Sequence, residues 1–391
     1  MTSLQEPPQN TEVKLHPLSL KHLSKGHPWI IQDKYTDQFP AKAPLLYTDH
    51  EDGTYTFIND SKHPKIKARL WSKELVMLED FNESFTYRIK DSFAKRETIT
   101  DRENFYLLFG EADQVPGLFI QWLREGILIQ SYSNFWKKKQ KAIVPIIREM
   151  LIPKGLKWIL WQDRDNKREN NFKPLWGKVP NQLNITEYDV TYKLYFDEAY
   201  DIGIYTDMSG IRKNAQSLFK DKKVLNLYSY TGAWSLYALK QGASEVVSAD
   251  LSEKYLKWLE ENLALNSLES HRSMAGDCEK SLQKLIFDNE KFDIIICDPP
   301  SFSSDGTKTT SAFKVYERLL PLFNKVLSDK AMVICFLNTH SITRKKFTEH
   351  MENFGKQNQF KIREQILLTS DCPRLPGFPE GDYLKGLLLT K

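Results

Sequence analysis

The segment from Phe292 to Phe302 constrains the fold of this chain more than any other. Its first six residues, Phe292–Cys297, form a short apolar run that is typical of a buried strand. The run ends at Asp298, Pro299 and Pro300, and because proline fixes φ and lacks an N–H, the strand cannot continue. The sequence therefore predicts a carboxylate on a stiff turn at the carboxyl end of a strand, where open α/β sheets bind their ligands.

Such a turn suits one particular kind of ligand. A rigid Asp-Pro-Pro can grip the polar edge of a planar ring, and Phe302 can pack on the face of that ring. The alternative is a plain turn that ends a strand. The residues upstream decide between these two interpretations.

A second predicted strand, Lys223–Leu227, is followed by a loop with Tyr228, Ser229 and Gly232 and then by a helix. A dinucleotide site would use three glycines in this place, for the turn, the pyrophosphate and helix packing. The single Gly232 favours a backbone that approaches a ligand without a pyrophosphate.

Two further acids follow in order. Glu245–Asp250 predicts a strand whose last residue, Asp250, is placed to accept hydrogen bonds from both hydroxyls of a ribose. Asp277 comes after a helix at about 252–266 and can accept a hydrogen bond from an exocyclic amine. Each acid alone is commonly a solvated loop residue or a helix cap. Together with Asp298 they fit a nucleoside with a charged amino-acid tail, and S-adenosylmethionine (SAM) is such a ligand.

These motifs carry a resemblance to a known family. Residues from about 190 to 391 resemble the class I SAM-dependent methyltransferases, in particular the bacterial 23S (large-subunit) ribosomal RNA methyltransferases that modify cytosine C5 or guanine N7. The matching segments are NLYSYTG at 226–232, SADLS at 248–252, ENLALN at 261–266, DPPSF at 298–302 and PEGDYLKG at 379–386. The resemblance implies a Rossmann-like, doubly wound α/β sheet that ends in an antiparallel hairpin, with SAM as the cofactor.

The resemblance also implies a set of cofactor-binding residues. The methionine end of SAM would lie against the loop after the first strand, its ribose against the acid of the second, and its adenine against the acid that follows. The segment before the first strand fits the family at Asp207 and Arg212 and departs from it at Met208 and Ser209. The implied cofactor residues are Asp207, Arg212, Tyr228, Ser229, Gly232, Asp250, Asp277 and Asp298.

The target base is a separate question. By resemblance, Asp298 and the carbonyl of Pro299 orient the base, Phe302 packs against it, and Asn338 lies nearby. Guanine N7 has a free lone pair, whereas cytosine C5 must first be activated by a cysteine thiolate that adds at C6. In the cytosine-C5 relatives that cysteine follows the fifth strand, where this chain has Asn338.

Two cysteines keep the cytosine-C5 alternative open. Cys335 stands three residues before Asn338, so strand alternation would face it the other way, and Cys372 lies on a loop before the last hairpin. Guanine N7 is therefore slightly favoured over cytosine C5, a preference that the resemblance of the Asp-Pro-Pro segment to guanine-N7 members supports. The N-terminal part favours the other group, because a PUA domain is more usual among cytosine-C5 members.

Four segments are expected along the chain. They are a disordered tail (1–11), a PUA-like RNA-binding domain (12–82), a central α+β module (83–195) and the methyltransferase domain (196–391). LSKGHPWI at 23–30 and ARLWS at 68–72 resemble the PUA domain, a small β-barrel. In the central module, residues 134–151 have helical periodicity, and the charged, aromatic stretch 162–180 is expected to be an exposed loop that contacts RNA.

Basic side chains are clustered in three stretches, 13–32, 61–73 and 137–141, and the first two contain no acid. The third directly follows Phe135 and Trp136. Cations beside aromatic rings suit an RNA backbone with exposed bases, although lysine-rich solvated faces are common. Ribosomal RNA is the partner that the resemblance implies, and the sequence leaves open whether the chain forms a homodimer.

Composition narrows the class of protein. The 391 residues are 41% hydrophobic and 27% charged, which predicts a soluble globular protein of two or three domains. The chain contains no apolar run of membrane-spanning length and no secretory signal, and its four cysteines lack metal-ligand spacing. We expect a cytoplasmic protein with neither a membrane segment nor a bound metal.

Other function classes remain at this stage. A nucleotide-dependent oxidoreductase would use a similar sheet, but the single Gly232 argues against it. A non-catalytic SAM- and RNA-binding protein would explain the departures at Met208, Ser209 and Asn338. Methylation of a small molecule would leave the two N-terminal modules without a use.

Overall fold

The computed structural model describes residues 10–164, 172–300, 302–304 and 309–391, with backbone only at 302–304 and 309–312. The chain divides into two compact units. Unit 1 comprises Met1–Asn181 and Asp371–Phe378, and unit 2 comprises Gln182–Ser370 and Pro379–Lys391.

The first half of unit 1 is a five-stranded sheet with one helix. Its strands pair in the order β1-β3-β4-β5-β2, and all pairs are antiparallel except β1 with β3. Leu23, Ile30 and Phe57 are fully buried in the core beneath it. Closure into a barrel stays a prediction. The elements are β1 (Thr11–Glu12), α1 (Pro17–Ser24), β2 (Trp29–Ile31), β3 (Leu45–His50), β4 (Gly53–Asn59) and β5 (Ile66–Ser72).

The second half of unit 1 is an α+β layer with its own five-stranded sheet, in the order β10-β9-β8-β7-β6. Only β8 and β9 are parallel, and the 18-residue helix α3 makes the crossover that a parallel pair requires. The elements are α2 (Phe81–Ala94), β6 (Asn104–Phe109), β7 (Leu118–Leu123), β8 (Gly126–Ser131), α3 (Asn134–Leu151), β9 (Trp158–Asp163) and β10 (Phe172–Gly177).

Two expectations about this layer were wrong. Residues 172–177 were expected to be loop, but they form β10, which pairs with β9 and packs Trp176 against the core. Residues 165–171 of the same stretch lie outside the described part of the chain. Phe135 and Trp136 were expected beside RNA, but they are 4% and 0% exposed, because the first turn of α3 inserts both rings into the core.

Buried ion pairs join distant parts of unit 1. Arg96 pairs with Asp113 at 2.7 Å, and Arg102 pairs with Asp371 at 2.7 Å. A few residues further on, the Phe378 ring lies 4.5 Å from that of Trp29. The segment Asp371–Phe378 therefore packs within unit 1, although it is close to the end of the chain.

Unit 2 is built on a seven-stranded sheet in the order β15-β14-β13-β16-β19-β21-β20. The first five strands are parallel, and β21 runs antiparallel to both of its neighbours. The strands of this sheet are β13 (Lys223–Leu227), β14 (Glu245–Asp250), β15 (His271–Ala275), β16 (Phe292–Cys297), β19 (Leu327–Asn338), β20 (Lys361–Ile366) and β21 (Leu384–Thr390). Unit 2 also contains two hairpins, β11 (Gln182–Glu187) with β12 (Val190–Tyr195) and β17 (Phe302–Ser304) with β18 (Thr309–Ser311).

Helices cover both faces of this sheet. Leu282 and Phe347, from two of the helices, share a core with Ile295 on one face, while Trp234 approaches Phe336 on the other at 5.7 Å between rings. The predicted Rossmann-like, doubly wound fold is confirmed. The helices of unit 2 are α4 (Ser209–Asn214), α5 (Ala233–Lys240), α6 (Glu253–Leu265), α7 (Cys278–Phe287), α8 (Ala312–Val326) and α9 (Arg344–Gln357).

The hairpin β11–β12 groups with unit 2, so the division of the chain falls before the expected boundary at 195/196. Two asparagines of the α6 region hold it. Asn262 accepts a hydrogen bond from the Lys193 N–H, and Asn266 accepts one from the Thr191 N–H, each at 2.8 Å. Amide side chains thus replace the strand partner that the outer edge of the hairpin lacks.

The described residues contain neither a membrane-spanning helix nor a metal-binding cluster. In that part of the chain, no helix is both long and apolar enough to cross a membrane. Nor do three or more His, Cys, Asp or Glu side chains within the described ranges lie together in a way that could hold a metal ion.

Candidate active site

The parallel strands of unit 2 end level with one another. Leu227 of β13 lies beside Ala249 of β14 and Cys297 of β16, and Cys297 lies beside Cys335 of β19. The loop after β13, the acid that ends β14, the acid after β16 and Asn338 therefore meet at one edge of the sheet. This is the edge where such folds bind ligands.

The loop after β13 has an alternating backbone. Tyr228, Tyr230 and Gly232 have φ values of 59°, 51° and 82°. A Cβ on Gly232 would lie 2.3 Å from Cγ of Leu259 on α6, so only glycine fits where the loop enters α5. Alternating left-handed residues turn successive N–H groups to one side, which suits a polar or anionic ligand group.

Asp250 is held by this loop. One carboxylate oxygen accepts a hydrogen bond from the Tyr230 N–H and the other accepts one from the Ser252 N–H, both at 2.9 Å. Burial raises the pKa of Asp250 above its usual value. Each oxygen keeps a further lone pair, so the carboxylate can still accept hydrogen bonds from two ribose hydroxyls.

Asp277 has a local structural role. Its Oδ1 accepts hydrogen bonds from the N–H groups of Glu279 and Lys280 at 3.0 and 3.1 Å, which caps the N-terminus of α7. Its side chain is exposed, and it stands two residues beyond Ala275, the register partner of Asp250. Its contact with an adenine amine stays a prediction.

Asp298 is the most perturbed acid of the site. Burial, followed by the nearby negative charge of Asp207, raises the pKa of Asp298 to about 7. Pro299 is buried behind it. Asp207 itself lies in a 3-10 turn, Thr206–Met208, and its Oδ2 accepts a hydrogen bond of 2.5 Å from the Tyr383 hydroxyl.

The guanidinium of Arg212 forms hydrogen bonds within the protein. Its Nε and Nη2 donate to the two carboxylate oxygens of Glu187 at 2.8 and 2.9 Å, and both side chains are at most 1% exposed. Its Nη2 also lies 3.4 Å from the carbonyl of Tyr205. The structure thus places Arg212 in a buried ion pair that links α4 to β11 and holds the Asp207 turn.

Sequence reasoning left two residues out of the site. Tyr383 contacts Asp207, and the Nζ of buried Lys385 donates to the carbonyls of Tyr383 (3.1 Å) and Thr339. Burial lowers the pKa of Lys385 to about 8. Both residues belong to PEGDYLKG at 379–386, one of the segments that match the family, and this motif was the available signal.

Asn338 is exposed at the last position of β19, opposite Leu384 of β21. Ser229, in the loop, has a buried hydroxyl with no hydrogen-bond partner among the described residues, which leaves a donor to be satisfied there. Phe302 is described only by its backbone in β17, so its predicted contact with the base lies outside the described side chains.

The four cysteines of the chain are all reduced and buried. Cys297, Cys335 and Cys372 are 0% exposed and Cys278 is 2% exposed. Burial raises the pKa of Cys278 to about 12 and raises those of Cys297 and Cys335 further. Cys372 packs in unit 1, where its Sγ lies 3.7 Å from a carboxylate oxygen of Asp371.

A family model described as S-adenosylmethionine-dependent methyltransferase matches residues 148–385, more than half of the chain. The chain belongs to this family. SAM is therefore its cofactor. The loop 228–232 with Asp250 fits the glycine approach and the ribose acceptor predicted for a SAM site. When bound, SAM supplies a methyl group that is already activated on a sulfonium.

Named relatives and one solved structure extend the comparison. The methyltransferase is 26% identical over 401 residues to the ribosomal RNA large subunit methyltransferase I of Alteromonas mediterranea, covering 97% of this chain and 98% of the relative. It is 27% identical to the protein of the same name from an Enterobacter species, covering 94% and 96%. The crystal structure of SMU.776, which is described as a methyltransferase and is complexed with SAH, has the same fold as this chain. The TM-score is 0.87 at 22% identity, and the match covers 98% of this chain and 100% of SMU.776.

Proposed function

We propose that this methyltransferase modifies a base of the large-subunit ribosomal RNA, and that the methylated atom is guanine N7. The first part of the proposal is supported by the relatives named above, which match the chain over nearly its whole length. It also gives the lysine-rich unit 1 a use that a small-molecule substrate would not. The proposed location is the cytoplasm.

One observation carries the choice of atom. At the end of β19, where a cytosine-C5 enzyme needs a cysteine, the chain presents exposed Asn338. All four cysteines are buried, and burial disfavours the thiolate that must attack cytosine C6. Guanine N7 needs no such nucleophile, because its lone pair can attack the donor directly once the base is positioned.

Asp298 suits the electrostatics of that reaction. Methylation at N7 moves a positive charge onto the guanine ring, and a carboxylate beside the ring stabilises this charge. With a pKa of about 7, Asp298 can also be neutral, and a neutral carboxyl can donate a hydrogen bond to an acceptor such as guanine O6. Asn338 adds an amide that can donate to the same edge of the base.

Cytosine C5 is the competing target, and Cys335 is the observation in its favour. Its thiol lies on β19 only three residues before the site edge. Its side chain, however, belongs to the core under α8 and α9, so an attack on a base would require the strand to be remade. The other alternative nucleophile is Cys372, which is buried beside Asp371.

The test uses ribosomal RNA transcribed with 5-fluorocytidine. A cytosine-C5 enzyme becomes trapped on such RNA, because fluorine cannot leave C5 as the proton does, and a covalent complex then survives denaturing electrophoresis. We expect methyl incorporation without any trapped complex. We also expect Cys335→Ala and Cys372→Ala variants that remain folded to keep their activity. A trapped complex that disappears in either variant would refute guanine N7.

A further inference from the structure

Two basic stretches that are far apart in the sequence meet in unit 1. A cavity of about 200 Å³ lies between the first sheet and the start of α3. Lys42 and Lys62 line it from the sheet side, and Lys138 and Lys139 line it from the helix. The stretches 61–73 and 137–141, which read as separate features of the sequence, thus contribute to one site.

Within the part of the chain that the structure describes, these four lysines have no carboxylate partner. Among the described residues, none of them forms an ion pair, whereas their neighbour Lys137 pairs with Asp163 at 2.8 Å. Lys42, Lys62 and Lys138 are exposed, while Lys139 is half-buried against the rings of Phe81 and Phe135. Four like charges around one cavity repel each other unless an anion binds between them.

The acid in the cavity wall does not neutralise them. Among the described lining residues, only Asp60 carries a carboxylate, and its Oδ2 accepts a hydrogen bond of 2.9 Å from buried Arg69. Arg69 also pairs with Glu111 at 2.9 Å. This triad has a net charge of about −1, which leaves the cavity strongly positive.

The start of α3 adds to the positive electrostatic potential of the cavity. Asn134 and Phe135, the first two residues of this 18-residue helix, line the cavity, and its first turn contains no acid. The N-terminus of a helix carries a partial positive charge and presents N–H groups, which suit a phosphate. Burial lowers the pKa of Lys139, as expected for a cation that is partly removed from water and has no ion-pair partner among the described residues.

The size of the cavity limits the ligand. Pockets that enclose a small organic ligand usually measure about 300–1,000 Å³, which is more than this cavity offers. A phosphodiester group, with the rest of the nucleic acid outside, fits the charge and the size. Because the substrate proposed above is RNA, we propose that this cavity binds backbone phosphate of the substrate RNA. This inference rests on the proposed function.

The first experiment compares two double variants with the same change in charge. Lys62→Glu with Lys138→Glu replaces two of the four cavity lysines, and Lys90→Glu with Lys356→Glu replaces two exposed lysines elsewhere. The dissociation constant for unmodified large-subunit ribosomal RNA is measured against salt concentration. At about 150 mM salt we expect the cavity variant to bind on the order of tenfold more weakly, and its log–log salt slope to fall by about one to two. The control should change by less than about threefold. Equal effects in both variants would overturn the proposal.

The second experiment needs no variant. Wild-type protein is labelled with an amine-reactive reagent, with and without the RNA, and the modified lysines are identified by mass spectrometry. We expect RNA to protect Lys62, Lys138 and Lys139 but not Lys90. Protection that is absent, or that polyglutamate reproduces as well, would contradict an RNA site. If wild-type protein binds the RNA but transfers no methyl group, the proposed function is refuted. The protection of the lysines then still shows whether the cavity binds RNA.

Discussion

The Tyr383 hydroxyl donates a hydrogen bond of 2.5 Å to Oδ2 of Asp207, although 176 residues separate the two in the sequence. This contact joins the segment before β21 to the turn before α4. Asp207 is 8% exposed, and its charge is one of the two causes that raise the pKa of Asp298. Tyr383 therefore holds the acid that helps to raise the pKa of Asp298, the residue proposed to lie beside the base.

Tyr383→Phe removes this donor and leaves the Asp207 carboxylate less satisfied. A hydrogen bond to a charged group contributes about 1.5–3 kcal/mol, so we expect a lower free energy of unfolding and a fall in kcat/KM of about tenfold or more. The matched control is Tyr195→Phe, which loses a hydrogen bond of 2.6 Å to exposed Glu261. Urea denaturation and steady-state methylation give the two values. An effect no larger than that of the control would show that the contact does not matter.

Methyl transfer should depend on pH through Asp298. Its pKa of about 7 means that it is neutral below this pH and negatively charged above it. Since the charged form stabilises the cationic product, kcat should rise between about pH 6 and pH 8. In Asp298→Asn this rise should be absent and activity should be low throughout. A flat profile in the wild type would exclude the role given to this carboxylate.

The same variant should be more stable than the wild type at high pH. Because the folded pKa of Asp298 lies above the usual value of 3.8, ionisation of this group costs stability as pH rises from about 4 to about 7, and this cost persists above pH 7. Asn carries no such cost, so Asp298→Asn should raise the melting temperature of the ligand-free protein by a few degrees at pH 8 and hardly at all at pH 4.

Asp293, on the same strand, is the control of opposite sign. Partial burial works against its ionisation, but hydrogen bonds from the Lys223 N–H (3.0 Å) and the Ser328 hydroxyl (2.7 Å) leave its pKa below the usual value. Its ionised form therefore contributes stability above about pH 4, which is lost as pH falls through the folded pKa. Asp293→Asn should destabilise the protein at pH 8. Melting curves of both variants at both pH values test the pair, and shifts of the same sign would refute the assignment.

The Arg212–Glu187 pair should matter for folding more than for the cofactor. Arg212→Met leaves the Glu187 carboxylate buried without its partner, which typically costs about 3–5 kcal/mol. Lys193→Met, which breaks the exposed pair with Glu261 at 3.1 Å, should cost less than about 1 kcal/mol. Chemical denaturation measures both. If Arg212→Met kept its stability but lost SAM affinity in calorimetry, Arg212 would be a cofactor ligand, as its resemblance to the family implies.

Much of the site could be predicted from local sequence. Asp250 and Asp298 each follow an apolar run, and a turn residue or proline ends the strand there, so their place at the sheet edge follows from short-range rules. The close approach of Gly232 to a ligand stays a prediction. Its contact with Leu259 could not be predicted locally, because Leu259 reaches it from the next helix.

The misses involve contacts between distant residues. β10 was mistaken for loop because it lies in the charged, aromatic stretch 162–180 and becomes a strand only by pairing with β9. Trp136 follows the periodicity of α3, but which face of α3 is buried depends on the sheet beneath it. Glu187 carries no local signal, since it acts through Arg212, which the fold brings to it from elsewhere in the chain. Tyr383 lies in a recognisable motif, but its partner Asp207 is 176 residues away.

The central claim is methyl transfer to guanine N7 of large-subunit ribosomal RNA. The most direct measurement incubates the protein with labelled SAM and large-subunit RNA from cells that lack the protein, digests the RNA to nucleosides and identifies the labelled one by mass. The account predicts that the label is found in 7-methylguanosine with wild-type protein and is greatly reduced with Asp298→Asn. Label in 5-methylcytidine, or no label in RNA despite measurable SAM binding, would contradict it.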